Sequence, residues 1–114
     1  MPTLYKICTA EQWAAAGRSG MFRGAPIDIR DGYIHFSTAE QVMETAQKHF
    51  AGQGNLVLVR VDAAALGDAL KWEPARGGAL FPHLYGELAL RHVARVDRLP
   101  LAEDGRHVFP PLAP

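Results

Sequence analysis

Residues 56–61 constrain the fold of this chain most, because five of the six are apolar and they follow two helix-stopping glycines, Gly52 and Gly54. A strand that is apolar on both faces has to be covered on both faces. The segment therefore predicts a central strand between two packed layers. A chain of 114 residues is long enough to bury such a core without disulfides or metal ions. We therefore expect one α/β-type domain over residues 1–114.

Two short helices are predicted before this strand. Thr9 and Gln12 have the spacing of a capping box, and the alanine-rich turn after them runs into Gly17, which predicts a brief first helix. Apolar residues recur at three- and four-residue spacing over residues 39–50, which predicts a second, amphipathic helix. Residues 18–30 lack such a period and contain glycine and proline, so we expect an extended loop there.

Further short strands are expected around the central one. Apolar or alternating runs bounded by turn residues predict them at residues 4–8, 33–36, 70–73 and 87–96. Residues 74–79 read as a glycine-rich loop. From Pro100 onward, four prolines and weak periodicity predict an ordered but irregular tail over about residues 100–114.

The charge balance and the apolar runs of the sequence indicate where the protein is located and which partners it binds. Twelve basic and 12 acidic residues give a formal net charge of zero, so no global field attracts the chain to nucleic acid or to an anionic membrane. Nucleic acid is therefore not an expected partner. The longest apolar run covers four residues, far short of the roughly 20 that span a bilayer. The single cysteine, Cys8, and the lack of a signal-peptide pattern favour the cytoplasm.

A first polar cluster spans residues 31–38. Because strand side chains alternate, His35 faces the same way as Tyr33. Ser37 and Thr38 stand where the second helix is expected to begin, and the amides of a helix N-terminus suit phosphate or carboxylate. This corner is therefore a candidate site for a small polar ligand. The alternative is that the two hydroxyls only cap the helix and that His35 bonds a backbone carbonyl.

A second polar cluster spans residues 81–86. Pro82 and Gly86 flank His83 and Tyr85, which predicts a stiff loop that prepositions polar groups. His83 could bond a ligand hydroxyl or move a proton, and Tyr85 could stack on a flat ring. The alternative is a structural turn with a buried aromatic side chain.

Other residues give weaker signals. Three arginines of the expected loop could clamp an anionic ligand, with solvated charges as the alternative; they are Arg18, Arg23 and Arg30. The five histidines have no cysteine or acidic partner at ligand spacing, so no metal site is predicted. Cys8, Trp13 and Trp72 are expected in the core.

Four stretches of the sequence resemble a bacterial family of unknown function, the uncharacterised-domain family nine-five-two. The resemblance covers nearly all of the chain except the tail. The stretches are Leu4-Tyr5-Lys6-Ile7, Asp31-Gly32-Tyr33-Ile34-His35-Phe36-Ser37-Thr38, Lys71-Trp72-Glu73 and Phe81-Pro82-His83-Leu84-Tyr85-Gly86.

That family in turn is similar to the ADP-ribosyltransferase-like superfamily, which includes RNA 2′-phosphotransferases. The similarity lies in the order Ile34-His35-Phe36-Ser37, a helix, an apolar strand and Asp62-Ala63. It implies an α+β fold with a split pair of small antiparallel sheets, two short helices and a nicotinamide-dinucleotide cleft between the sheets. It also implies that NAD is consumed as a substrate without a metal ion, and it places His35 and Ser37 in the cleft. Many members of the superfamily use a late glutamate, for which Glu73 and Glu87 are both candidates here.

Two functions follow as hypotheses. The first is a transferase or glycohydrolase acting on NAD or a related nucleotide, in which His35 holds ribose hydroxyls, Ser37 or Thr38 orients the ligand and His83 relays a proton. Tyr33 and Tyr85 would complete the ligand site. The second is a non-catalytic module that binds a nucleotide or a partner protein on a degenerate version of the same fold.

Overall fold

The computed structural model describes residues 2–114, apart from the side chain of residue 76. This part of the chain has an α+β architecture with small antiparallel sheets and short helices. The strands are β1 (Thr3–Thr9), β2 (Met21–Phe22), β3 (Ile34–His35), β4 (Ser37–Thr38), β5 (Leu56–Asp62), β6 (Leu70–Pro74), β7 (Leu80–Leu84), β8 (Leu88–Ala89) and β9 (Val93–Leu99). The helices are α1 (Ala10–Ser19), α2 (Pro26–Asp31) and α3 (Val42–His49).

The main sheet has the strand order β4-β1-β5-β9, with β5 in its interior. β5 pairs antiparallel with β1 along its whole length. Val57, Val59 and Val61 contribute to one buried apolar cluster, whereas Leu56 and Leu58 contribute to another on the opposite face. The prediction of a strand covered on both faces is therefore confirmed.

A second sheet has the order β3-β7-β6, with β7 in its centre. The pairing of β3 with β7 places His35 opposite His83. The prediction of a stiff loop at residues 81–86 is wrong, because most of that segment belongs to β7. Pro82 caused the error, since proline lacks the amide that a central strand normally donates. Here its carbonyl accepts a hydrogen bond from the Phe36 amide at 3.0 Å.

The first helix begins as predicted but ends later. Thr9 Oγ1 accepts from the Gln12 amide at 3.0 Å, and Gln12 Oε1 accepts from the Thr9 amide at 2.9 Å, which confirms the capping box. α1 nevertheless runs past Gly17 to Ser19, because a glycine inside an exposed helix costs only about 1 kcal/mol. The helix ends at Gly20, whose φ of 84° lies in the left-handed region that glycine adopts readily.

The prediction of an extended loop at residues 18–30 is wrong. This segment contains the end of α1, all of β2 and most of α2. α2 has Pro26 at its N-terminus and is followed by Gly32 with a φ of 88°, the usual order of proline and glycine around a helix. Its six residues are too few for an apolar period to be visible in the sequence. The described chain therefore has three α-helices where two were expected.

Ser37 and Thr38 do not cap a helix as predicted. They form β4 and pair with β1 at the edge of the main sheet. α3 begins only at Val42, and the Thr38 amide donates to Gln41 Oε1 at 3.0 Å. The predicted anion corner of hydroxyls and helix amides is therefore not formed. The amphipathic character of α3 is confirmed in part, because Val42 and Ala46 are buried.

The C-terminal part of the chain contains short paired strands separated by irregular segments. The prediction of one strand over residues 87–96 is wrong, because β8 pairs with β2 and a 3-10 turn at residues 90–92 separates it from β9. The tail contacts the main sheet, since the Tyr5 hydroxyl accepts from the Ala113 amide at 2.7 Å. No helix in the described residues has the length and apolar character to cross a membrane.

Candidate functional site

Four aromatic side chains on and beside β3 and β7 gather at one place. The Tyr33 ring stacks on the His83 ring with centroids 4.1 Å apart, and it lies 4.6 Å from the His35 ring and 5.1 Å from the Tyr85 ring. The two histidine rings are 5.5 Å apart in an edge-on arrangement. The antiparallel pairing of β3 with β7 thus joins the two clusters that were predicted separately from the sequence.

His35 is placed between two carboxylates. Its Nδ1 lies 2.6 Å from Oδ1 of Asp28, and its Nε2 lies 3.1 Å from Oδ2 of Asp31. An ionised carboxylate only accepts hydrogen bonds, so Nδ1 carries a proton and donates it to Asp28. By the same rule Nε2 donates to Asp31 when it carries a proton, and it can accept a proton from a ligand only when it carries none and the bond to Asp31 is open. His35 therefore bonds carboxylates rather than the backbone carbonyl considered as an alternative.

Asp28 and Lys6 form an ion pair inside the core. Lys6 Nζ lies 2.9 Å and 2.8 Å from the two Asp28 oxygens, and the side chains are 6% and 1% exposed. The amides of Ala25 and His35 also donate to this carboxylate, at 2.7 Å and 3.1 Å. Burial acts to raise the pKa of Asp28, but the hydrogen bond from His35 and the charge of Lys6 outweigh it and lower that pKa to about 2. Asp28 is therefore a fixed anion behind His35.

His83 is oriented by a second carboxylate. Its Nδ1 lies 2.8 Å from Oε1 of Glu73, which also accepts from the Tyr85 hydroxyl at 2.8 Å. The hydrogen bonds from His83 and then from Tyr85 hold the pKa of Glu73 below its usual value. The same bond to Glu73 raises the pKa of Tyr85. Both histidines thus direct Nδ1 at a carboxylate, which fixes the ring and leaves Nε2 as the reactive nitrogen.

A cavity of about 470 Å³ opens beside the two histidines. It lies where β1 and β4 of the main sheet approach β3 and β7, with α2 and α3 at its sides. Most of its wall is apolar or aromatic, and its polar groups include three histidines. The residues that line it are Tyr5, Lys6, Ile7, Ile27, Asp31, His35, Phe36, Ser37, Thr45, His49, Phe50, Ala75, Phe81 and His83.

The predicted site residues divide evenly with respect to this cavity. Those that line it are His35, Ser37 and His83. Those outside its lining are Tyr33, Thr38 and Tyr85. The Tyr33 ring contacts both histidine rings and the Tyr85 ring, whereas the hydroxyl of Ser37 lies 2.8 Å from Thr45 Oγ1. The ligand contacts predicted for these residues stay predictions.

Glu73 and Glu87, the two candidates for the catalytic glutamate, have different surroundings. Glu73 belongs to the aromatic cluster through His83 and Tyr85. Glu87 instead forms an exposed ion pair with Arg23. Neither glutamate lines the cavity. Among the described lining residues, Asp31 is the one that carries a carboxylate.

Sequence analysis missed Asp28 and Lys6. Lys6 lies between Leu4 and Cys8 on one buried face of β1, and a lysine in that position requires a buried counter-charge. Gly24 makes room for Asp28, because a Cβ at Gly24 would lie 2.7 Å from the Asp28 Cβ. A lysine within an apolar alternation, followed later by a glycine and an aspartate, was the signal that could have revealed the pair.

The arginines and tryptophans singled out in the sequence lie in different surroundings. Within the described structure none of the three arginines lines the cavity, and Arg30 pairs with Asp31 at 3.0 Å. Trp13 packs at the edge of the core, with its ring 5.6 Å from that of Phe22. Trp72 is 40% exposed, so its expected core position is wrong. Residues 2–114 contain no group of three histidine, cysteine or acidic side chains arranged to hold a metal ion.

Comparison with known proteins gives a family and a fold without a function. The model of a family described as "Protein of unknown function (DUF952)" matches residues 7–96. The crystal structure of protein CC0527 from Caulobacter crescentus is 49% identical, with a TM-score of 0.90 over 93% of each chain. The solution NMR structure of CC0527 is 50% identical, with a TM-score of 0.84 over 93% of this chain and 91% of that one. No curated protein matches.

Proposed function

The chain belongs to the DUF952 family of proteins of unknown function, and for this member we propose cleavage of the ribose–nicotinamide bond of an NAD-like nucleotide. One observation carries the proposal. Two histidines, each with Nδ1 directed at a carboxylate, line the same cavity. This arrangement suits general acid–base chemistry on a small ligand, because the carboxylate fixes the ring and stabilises its protonated form.

The proposed reaction uses His35 as the base. The bond between ribose C1′ and the ring nitrogen breaks, its electron pair goes to that nitrogen, and nicotinamide leaves as a neutral molecule. The ribosyl cation that remains is attacked by water or another hydroxyl, whose proton passes to Nε2 of His35. The carboxylate of Asp31, 3.1 Å from that nitrogen, would stabilise both the ribosyl cation and the imidazolium.

His83 and Ser37 are assigned to binding and proton movement. Both side chains line the cavity although each residue is only 4% exposed. Thr45 Oγ1 donates to the Gln41 carbonyl at 3.1 Å, so Ser37 donates to Thr45 and can still accept a hydrogen bond from a ligand hydroxyl. His83, with Nδ1 directed at Glu73, can exchange a proton through Nε2.

The resemblance to the ADP-ribosyltransferase-like superfamily supports the choice of ligand. It implies two small antiparallel sheets with a dinucleotide cleft between them. The cavity here is bordered by Lys6 of the main sheet and by Phe81 and His83 of the three-stranded sheet. The order of His35, Ser37, helix and apolar strand agrees with that superfamily, and NAD as a substrate is proposed on that basis.

Release of nicotinamide from NAD, followed by chromatography, tests the proposal. General acid–base residues contribute about 10²–10⁴-fold to rates, so His35→Ala and His83→Ala should each reduce release at least 100-fold. His107→Ala is the matched control, because His107 bonds the Gln53 carbonyl and lies outside the cavity lining. Release by the two site variants at the wild-type rate would contradict the proposal, provided that their circular dichroism is native.

The second candidate is a module that binds the nucleotide without catalysis. The position of Glu73 favours it, because its carboxylate is engaged by His83 and Tyr85 and does not line the cavity. This candidate expects saturable NAD binding without nicotinamide release. It also expects that Glu73→Gln and Glu87→Gln leave that binding within about threefold of wild type, a change of no more than about 0.7 kcal/mol.

A further inference from the structure

Apolar and aromatic side chains in the lining of the cavity suit a flat ring. Phe36, Phe81 and Phe50 line the cavity together with Ile7 and Ile27. Such side chains gain most by covering an aromatic ring or another apolar face of a ligand. A heteroaromatic ring, including the cationic pyridinium of NAD, therefore fits this part of the cavity better than an anionic phosphate does.

The fixed charges of the cavity do not match a phosphate. Lys6 is the one lysine or arginine among the described lining residues, and both oxygens of Asp28 already pair with its ammonium group. The other fixed charge of the described lining is the Asp31 carboxylate, which lies 3.0 Å from Arg30 and 3.1 Å from His35 and presents acceptor oxygens, not a donor, to a phosphate. Phosphate sites are normally built from unpaired arginine or lysine side chains or from helix amides.

The beginning of α3 offers no substitute for such side chains. Val42, its first residue, is fully buried, and Glu44 adds a carboxylate to the first turn. The nearby Thr38 amide is already occupied by Gln41 Oε1 at 3.0 Å. Residues 42–44 are not among the described residues that line the cavity, so the first turn of α3 presents no anion position there.

The polar groups of the cavity instead match hydroxyls. His35 provides a ring nitrogen, and the Ser37 oxygen can still accept a hydrogen bond because its proton goes to Thr45. We infer that the cavity binds the base and ribose of its ligand and leaves the phosphates in solvent. This inference rests on the proposed function and specifies which part of the substrate the cavity contacts, namely the nucleoside. It also makes Asp31 a residue that determines specificity against phosphate.

Calorimetric titration with nicotinamide riboside, nicotinamide mononucleotide and NAD tests the inference, because the three ligands differ in phosphate content. The riboside should bind at least as tightly as the two phosphorylated ligands. Asp31→Asn should shift the affinity ratio toward the mononucleotide by about threefold, the size of one charge interaction near a solvated surface. Asp104→Asn, which changes an exposed carboxylate beside Arg106, should leave that ratio unchanged.

The outcomes separate this inference from the proposed reaction. Binding of the mononucleotide or NAD at least tenfold more tightly than the riboside would overturn the inference and leave the reaction standing. An affinity ratio that Asp31→Asn does not change would overturn the role of Asp31. Binding of the riboside in the expected order without release of nicotinamide would overturn the reaction and leave the inference standing. Failure of all three ligands to bind would overturn both.

Discussion

His35 and Asp28 are joined by two hydrogen bonds to the same carboxylate oxygen. The ring nitrogen Nδ1 lies 2.6 Å from Oδ1 of Asp28, and the backbone amide of His35 lies 3.1 Å from it. One buried side chain of α2 therefore fixes both the main chain and the ring of a residue in β3. Asp28 does not line the cavity, so it acts on a ligand only through His35 and Lys6, which do.

The first prediction concerns the buried ion pair. Asp28→Asn leaves the ammonium group of Lys6 buried without a counter-charge, and such a loss typically costs about 3–5 kcal/mol. We expect urea denaturation to show a decrease in the free energy of unfolding of that size. Glu44→Gln is a control at an exposed pair, where Lys48 lies 3.9 Å away. Its cost should stay below about 1 kcal/mol.

A double variant shows whether the cost comes from the unpaired charge. Lys6→Met combined with Asp28→Asn removes the orphaned ammonium, so it should be more stable than Asp28→Asn alone. Equal stability of the single and the double variant would mean that the charge of Lys6 is not the cause.

The second prediction concerns acid stability. The pKa of Asp28 is lowered from 3.8 to about 2, so its ionisation stabilises the fold. That stabilisation is complete above the unfolded pKa and is lost as the pH falls through the folded pKa. The stability difference between wild type and Asp28→Asn should therefore shrink by about 2 kcal/mol between pH 5 and pH 2. A difference that stays constant in urea denaturation over this range would contradict the assignment.

The third prediction concerns Tyr85. Glu73→Gln removes the carboxylate whose hydrogen bond raises the Tyr85 pKa, so that pKa should fall toward the ordinary tyrosine value. A pH titration of the tyrosine ring signals by NMR resolves Tyr85 from the other tyrosines. Glu87→Gln is the control, since Glu87 pairs with Arg23 instead. An unchanged Tyr85 titration in Glu73→Gln would show that the two side chains do not bond in solution.

The fourth prediction concerns Cys8, which is 1% exposed. Burial, opposed by Lys6 and reinforced by Asp28, raises its pKa to about 12. At pH 8 the native thiol should therefore be protonated and unreactive toward a disulfide reagent such as Ellman's reagent. The same reagent should react at once in concentrated guanidinium chloride. Rapid reaction of the native protein would place Cys8 outside the core.

Features set by local sequence were predicted well. The capping box of Thr9 and Gln12 needs only four neighbouring residues, and the burial of the five apolar residues in the range 56–61 follows from their side chains. His35 and Tyr33 were expected on one side of a strand, and their rings lie 4.6 Å apart. Period-two alternation is enough to establish that relation.

Features set by pairing between distant segments were not predictable in this way. The contact between His35 and His83 depends on the register of β3 against β7, which no local pattern encodes. Ser37 was expected at a helix N-terminus, but pairing with β1 drew it into β4. Asp28 was missed because its role depends on Lys6, 22 residues earlier in the chain.

The most direct test of the candidate site is an amide NMR titration of the 12.4 kDa chain with NAD, followed over several hours. Our account predicts shifts concentrated on the residues that line the cavity, with His35, Ser37 and His83 among the largest, and free nicotinamide accumulating with time. Shifts without nicotinamide would favour the binding module over the enzyme. Shifts centred elsewhere, or none at millimolar NAD, would contradict the central claim that this cavity is the site of an NAD-directed function.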